Sequence, residues 1–307
     1  MPPRFGIIMI PTLPVEELAA RWSLIEELGY DSLWLPDHFV NPRGPTDLWF
    51  ETWTLLTLLA SRTSRIRIGT LVANMTLRNP ALLAIQAMTV DHISRGRLVL
   101  GIGAGRPPAD HQMTGVEMWP IGERLKRFKE FATIIDRLLR QGRTTWNGTY
   151  YKITDASLFP PPVQKPRLPL LIGGKSPTVI RVAAGIADVW NTNGGRDLSP
   201  HEAFEATRAK VAMLQDQCQK KARDPGAVTL SFLVGQTQDT PLASRDAFQD
   251  FIGRYEQLGF REFILFWLRD PNPDYALYDW IRNRAVLEKV ATDWIPSVRP
   301  GSSDTSA

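Results

Sequence analysis

Ile66-Arg67-Ile68-Gly69-Thr70-Leu71-Val72, then Pro80 to His92, then Leu98-Val99-Leu100-Gly101-Ile102: this stretch is an apolar run, a segment with helical spacing, and a second apolar run. Both runs are short and bounded, as strands buried on two faces are. The segment between them opens on a proline, which suits the first helical position because its missing N–H would have no partner there. The result is a strand–helix–strand unit, the building block of parallel sheets. The alternation continues upstream. Phe5 to Ile10 is followed by a helix opened by Pro14, carrying Leu18, Arg21, Trp22, Ile25 and Leu28 and ended by Gly29. Ser32 to Leu35 is followed by a helix from about Thr52 to Ser61.

It continues downstream as well. Ile121 to Leu139 supplies the fourth helix, and a polar, aromatic insertion from Trp146 to Ile153 reads as a hairpin around Asn147-Gly148. The proline-rich stretch 160–169 reads as an extended lead-in to a fifth strand, Leu170-Leu171-Ile172, with its helix from Thr178 to Ile186. Asp188-Val189-Trp190 pairs with a helix from Pro200 to about Lys221, and Thr229 to Val234 with one from Ser244 to Leu258. Phe263 to Trp267 pairs with a last helix from Tyr275 to Val290. Eight strand–helix pairs in about 290 residues predict a closed (β/α)8 TIM barrel, with the small hairpin inserted between helix 4 and strand 5. An open doubly wound sheet would need a glycine-rich phosphate turn after its first strand. Ile10-Pro11-Thr12-Leu13-Pro14 contains no glycine. One domain over residues 1–296 is expected, with a Ser/Gly-rich, disordered tail over 297–307.

Composition narrows the function classes. Of 307 residues, 43% are hydrophobic and 22% charged, with a net charge of +4. That is ordinary globular composition. A mild basic excess suits an anionic small molecule, and no dense Lys/Arg block marks a nucleic-acid surface. The lone Cys218 excludes an internal disulfide and a thiolate metal cluster. Phe5 to Ile10 is too short for a signal-peptide core, and no segment has the ~20 apolar residues that span a bilayer. A cytoplasmic protein without membrane or nucleic-acid partners is expected.

In such barrels the site is built from loops after the strand C-termini. After strand two stands Leu35-Pro36-Asp37-His38-Phe39, where neighbouring Asp and His side chains point to opposite sides of the chain. His38 either donates a proton or hydrogen bond to a developing anion or packs the loop. After strand three, Asn74 is either a ring-edge contact or a turn-former. After strand four, Gly101-Ile102-Gly103-Ala104-Gly105-Arg106 would let a flat ligand approach the backbone. It is no dinucleotide fingerprint, because Pro107-Pro108 stands where a helix should open. After strand five, Gly173-Gly174-Lys175-Ser176-Pro177-Thr178 combines free N–H groups, a helix start and a cation, which together make a phosphate seat. The alternative is a tight turn with Ser176 or Thr178 as helix cap. Histidines 38, 92, 111 and 201 never fall in H-x-H or H-x-x-x-H spacing, so no metal site is expected, and no G-x-S-x-G elbow exists. A phosphate seat without an evident nucleophile assigns the chemistry to a cofactor.

Taken together, these segments are identifiable. Leu33 to Phe39, Trp53 to Leu56, Arg65 to Val72, Arg78 to Ala84, Asp91 to Leu98, Gly101 to Gly105, Pro169 to Gly174 and Ala183 to Asn191, in that order, resemble the luciferase-like monooxygenases over about residues 5–290. The Asp37-His38-Phe39 triplet is similar to the branch that uses the deazaflavin F420, where the flavin branch more often has an acid before paired histidines. The resemblance implies a hydride transfer between F420 and a small organic substrate. Asp37 would contact the deazaflavin headgroup, and His38 would stabilise the ring anion or help protonate substrate. Leu71-Val72 would form a bulge, often a non-prolyl cis bond, behind the ring, and Gly173 to Thr178 would hold the phosphate. The cofactor-binding set expected is Asp37, Leu71, Val72, Asn74, Gly105, Arg106, Gly173, Gly174, Lys175, Ser176 and Thr178, with His38 catalytic. An FMNH2-dependent monooxygenase using O2 and a partner reductase is the alternative; a non-catalytic cofactor-binding barrel is a third. A homodimer is implied too. One departure matters: some sugar-phosphate-oxidising members place a glutamate proton donor where this chain has Arg106. Arginine is no general acid at neutral pH. Arg106 either holds an anion or lies on the rim, and Glu51, the one obvious carboxylate near the mouth, is either a site group or just an N-terminal helix charge.

Overall fold

Eight doubly buried strands leave no edge to protect if the sheet closes, and this sheet closes. The computed structural model describes residues 2–41, 48–105, 108–195, 198–268 and 279–299. The barrel strands are β1 (Arg4–Met9), β2 (Ser32–Leu35), β3 (Arg67–Thr70), β4 (Leu98–Gly103), β5 (Leu170–Gly173), β6 (Val189–Thr192), β7 (Thr229–Leu233) and β8 (Phe260–Trp267). All neighbours run parallel, β1 pairs with both β2 and β8, and β3 closes the ring on β4 through Ile68↔Leu98 and Gly69↔Val99. After β3 the chain breaks step at a cis Leu71-Val72 peptide and resumes as Ala73–Asn74, still parallel to β4.

Helices cover the outside: α1 (Val15–Glu27), α2 (Thr52–Arg62), α3 (Pro80–Ile93), α4 (Ile121–Arg140), α5 (Pro177–Ile186), α6 (Pro200–Gln219), α7 (Arg245–Gln257) and α8 (Arg284–Lys289). Their starts carry the expected caps: Asn79 before α3, Ser176 before α5, Ser244 before α7, and a Ser199/Glu202 capping box before α6. The hairpin strands Thr144–Asn147 and Lys152–Ala156 stand between α4 and β5, where the insertion was expected. No described helix is long and apolar enough to cross a membrane.

Two apolar cores result, one between strands and helices and one inside the barrel. The inner core is built around Trp34, whose indole N–H donates to Ser32 Oγ at 2.8 Å. Its ring occupies space that side chains on adjacent strands would otherwise need. A Cβ on Gly69 would lie 2.6 Å from Trp34 Cζ3, and one on Gly6 2.9 Å from Trp34 Nε1. The segment Asp91 to Arg97 is a brace rather than a site. Asp91 accepts from Val163 N (2.8 Å) and Gln164 Nε2 (2.7 Å), fastening the proline-rich lead-in. Arg97 donates to the carbonyls of Ala60, Thr63 and Ile66 at the C-terminal end of α2.

Two elements differ from expectation. Pro107-Pro108 does not forbid a helix: a short one runs Pro108–Thr114, with proline at its first position. The last helix begins at Arg284, not Tyr275; residues 275–278 lie outside the described residues. Trp280 and Ile281 are drawn back to the barrel mouth instead. Trp280 stacks on Phe266 with ring centroids 4.2 Å apart, and Ile281 N donates to Phe266 O at 2.9 Å. Asn283 then caps α8, accepting from Val286 N at 3.0 Å. Of the tail expected from residue 297, Ser297 and Val298 end a helical turn (Ile295–Val298), and 300–307 lie outside the described residues.

Candidate active site

The strand ends deliver their loops to one mouth, and two cavities open there. One, of about 360 Å3, is lined by His38, Leu71, Val72, Gly103, Gly105 and Lys175, with Ile121, Arg124 and Leu125 from the start of α4. The other, of about 230 Å3, is lined by Asn191, Thr192, Asn193 and Leu233. Both share Leu71, Val72, Gly173, Gly174 and Lys175 as a common wall. Sizes of this order are those of small-molecule sites. A larger cavity, about 480 Å3, lies at the opposite end between the starts of β7 and β8 and the helices around them. In this fold that face contributes stability rather than chemistry.

His38 stands at the cavity with its ring a quarter exposed. Its Nδ1 lies 2.7 Å from Asp110 Oδ2, leaving Nε2 as the ring's other polar atom. Asp110 is fully buried and also accepts from Phe39 N (3.0 Å) and Asn74 Nδ2 (3.0 Å). The Trp49 indole donates to His38 O at 2.6 Å, fixing the loop from the other side.

Asp37 is placed otherwise than expected. It is buried, lines neither cavity, and turns both oxygens to Arg78 (2.6 and 3.0 Å) and to Asn74 N (3.1 Å). Burial pushes its carboxyl above the ordinary range, and the Arg78 guanidinium works against that. Arg78 also meets Glu51 Oε1 at 2.6 Å, while Glu51 Oε2 caps α2 through Thr54 N at 2.7 Å. Burial would raise Glu51, but the Thr54 N–H and the Arg78 guanidinium outweigh it and hold it below its usual value. Asp37, Arg78 and Glu51 therefore clamp the β2 loop from beneath. They do not face the ligand space.

Nine of the expected residues line the 360 Å3 cavity at the mouth: His38, Leu71, Val72, Asn74, Gly105, Gly173, Gly174, Lys175 and Ser176. Asn74, however, uses its amide inside the protein, donating to Asp110 and accepting from Thr76 N at 3.0 Å. Thr178 lines neither cavity, and its hydroxyl accepts from Arg181 at 2.8 Å. Arg106 lies outside the described residues. The glycines serve the wall more than a ligand. A Cβ on Gly103 would sit 2.4 Å from Val72 Cγ2, and one on Gly173 2.8 Å from Val72 Cγ1, so the two glycines make room for the Val72 side chain.

The other end of the site is cationic. Ser176 caps α5 by accepting from Val179 N, so the positive helix terminus abuts the cavity beside Lys175. Lys210 on α6 is held below its ordinary value, first by burial and then by the charge of Lys175. Lys210 itself lines neither cavity, so Lys175 is the cation that faces them. Gly173-Gly174, the lysine and the helix start fit a phosphate, and the apolar Leu71-Val72 wall fits a flat ring. Sequence reasoning missed Asp110, Arg124 and Lys210, because each arrives on a different helix.

The family profile described as luciferase-like monooxygenase matches residues 4–278. An F420-dependent glucose-6-phosphate dehydrogenase of Microbacterium testaceum is 38% identical over 189 residues, 59% of this chain and 53% of that protein. The chain thus spans about half the length of this relative. A 5,10-methylenetetrahydromethanopterin reductase of Archaeoglobus fulgidus is 29% identical over 266 residues, 81% of this chain and 75% of the relative. Among solved structures, an F420-dependent secondary alcohol dehydrogenase in complex with an F420-acetone adduct superposes with a TM-score of 0.76, covering 92% of this chain and 98% of that one. At 17% identity that likeness speaks for the fold.

Proposed function

The chain belongs to the luciferase-like monooxygenase family, and from that premise we propose that it is an oxidoreductase using the deazaflavin F420 on a small organic substrate. The observation that carries the proposal is the two-lobed cavity, walled by Leu71, Val72, Gly173 and Gly174, with His38 at one lobe and Lys175 shared by both. Bound F420 supplies the hydride chemistry, which no side chain of this chain can perform. The remaining work falls to the protein. Lys175 and the α5 terminus would hold the phosphate, Val72 would support the flat ring, and the cavity beside Ile121 and Leu125 would receive an apolar substrate. His38 handles a proton at Nε2. Arg106 supplies no acid, so a sugar phosphate is not the proposed substrate, even though relatives bear that name. The family profile also accommodates an FMNH2-dependent monooxygenase with a separate reductase, the second reading. A homodimer working in the cytoplasm completes the proposal.

The test is turnover of F420 with a panel of small alcohols and carbonyl compounds. His38→Ala should lower kcat by ~10²-fold or more while sparing cofactor affinity. Unchanged turnover would remove His38 from the reaction.

A further inference from the structure

We propose that Asp110 is the positioning residue of this site. It holds His38 as the Nδ1–H tautomer and so presents a bare Nε2 to the cavity, ready to accept a hydrogen bond or proton from a ligand O–H or N–H. The inference rests on the reading of His38 as the proton-handling group, and the geometry adds what that reading lacks.

A carboxylate can only accept, so the proton in the 2.7 Å contact between Asp110 Oδ2 and His38 must sit on Nδ1. In a neutral imidazole the other nitrogen then carries the lone pair. The orientation of Asn74 is determined independently. Thr76 N–H can only donate, and it donates to Asn74 Oδ1 at 3.0 Å. Asn74 therefore turns its NH2 to Asp110 Oδ2, at 3.0 Å. With Phe39 N on Oδ1 at 3.0 Å, three donors converge on Asp110 from the β2 loop and the strand after β3. The carboxylate is fully buried, so none of these bonds is shared with solvent. The network fixes both the ring plane and the tautomer, and a protonated His38 would face a negative partner 2.7 Å away. No other described side chain contacts His38 Nδ1.

Asp110→Asn tests this because the amide cannot satisfy the same set. If its oxygen takes the place of Oδ2, it still accepts from His38 Nδ1–H and from Asn74 but sets its NH2 against the Phe39 N–H; if its NH2 takes that place, it forces the proton to Nε2 and sets two NH2 groups against each other. The first readout is 15N NMR of the imidazole nitrogens in the unligated protein, with His38→Ala assigning the signals. The proposal expects an Nδ1–H tautomer in the parent protein. An Nε2–H tautomer in the parent overturns it. The parent spectrum decides the matter even if the variant does not fold. The second readout is kinetic: Asp110→Asn should lower kcat by ~10²-fold or more, with KM changed much less, as expected when a base is left in the wrong tautomer. Equal losses in kcat and in cofactor affinity would mark a merely structural residue. If His38→Ala leaves turnover intact while the tautomer is as expected, the proton-handling reading fails and the Asp110 assignment stands.

Discussion

Lys175 is exposed and has no ion-pair partner among the described contacts, yet it borders both cavities and lowers the proton affinity of Lys210. A cation placed this way is the proposed binding group. Lys175→Glu should weaken F420 binding by about tenfold, or about 1.4 kcal/mol, in low salt. Because the site is open to water, the difference should shrink in 1 M salt. Unaltered affinity at low salt would sink the phosphate-seat assignment. Residues of this kind are legible in a sequence because their chemistry is local: Gly173-Gly174-Lys175-Ser176 carries its own turn, cap and charge. Asp37 shows the limit. The family resemblance implied a ligand contact, but its partner Arg78 stands 41 positions away and claims both oxygens. Asp110 was hidden for a second reason: Pro107-Pro108 reads as a helix breaker, although proline is welcome at a first helical position.

Among the elements, α3 carries a feature the barrel does not use. Its inner face is buried through Leu83, Ala84, Ala87 and Met88, while Leu82, Ile85 and Ile93 turn outward at 52, 46 and 39% exposure. Phe159, 89% exposed, adds to the apolar surface of the chain. Apolar surface of this kind on a barrel helix marks an interaction face. In the proposed homodimer, a second copy would cover it. Sedimentation equilibrium at micromolar protein should give a dimer, and Ile85→Glu should shift it to monomer without loss of fold. A monomeric parent protein, or a variant that stays dimeric, would contradict this face. The strands were readable because doubly buried strands are continuous apolar runs. Trp280 and Ile281 were misread for the same reason: an apolar pair before a helical stretch looks like the helix's own stripe until the barrel mouth claims it.

On the scale of the whole molecule, a carboxyl buried at the barrel rim makes stability depend on pH. Asp279, at the rim beside Gly235 and accepting from Leu242 N at 2.6 Å, is pushed up to about 6 by burial, against the pull of that N–H and of Arg282. Its folded value exceeds the unfolded one, so the native state binds the proton more tightly than the unfolded chain. The penalty is full above about pH 6 and vanishes below about pH 4; a shift of two units corresponds to about 3 kcal/mol. Asp279→Asn should therefore raise Tm at pH 8 and raise it by much less at pH 4.5, as thermal melts at the two values would show. Equal effects at both would indicate that the carboxyl is not penalised. The closed ring itself was countable in the sequence. The pairing of loops across its mouth was not, because each contact there joins segments that only the closed barrel brings together.

The central claim is the cofactor, and it is tested most directly by parallel titrations of F420 and FMN, oxidised and reduced, followed by quenching of the ten tryptophans. The account predicts saturable binding of F420 and none of FMN. Binding of FMN alone would contradict it, and would place the chain with the oxygen-using members of its family.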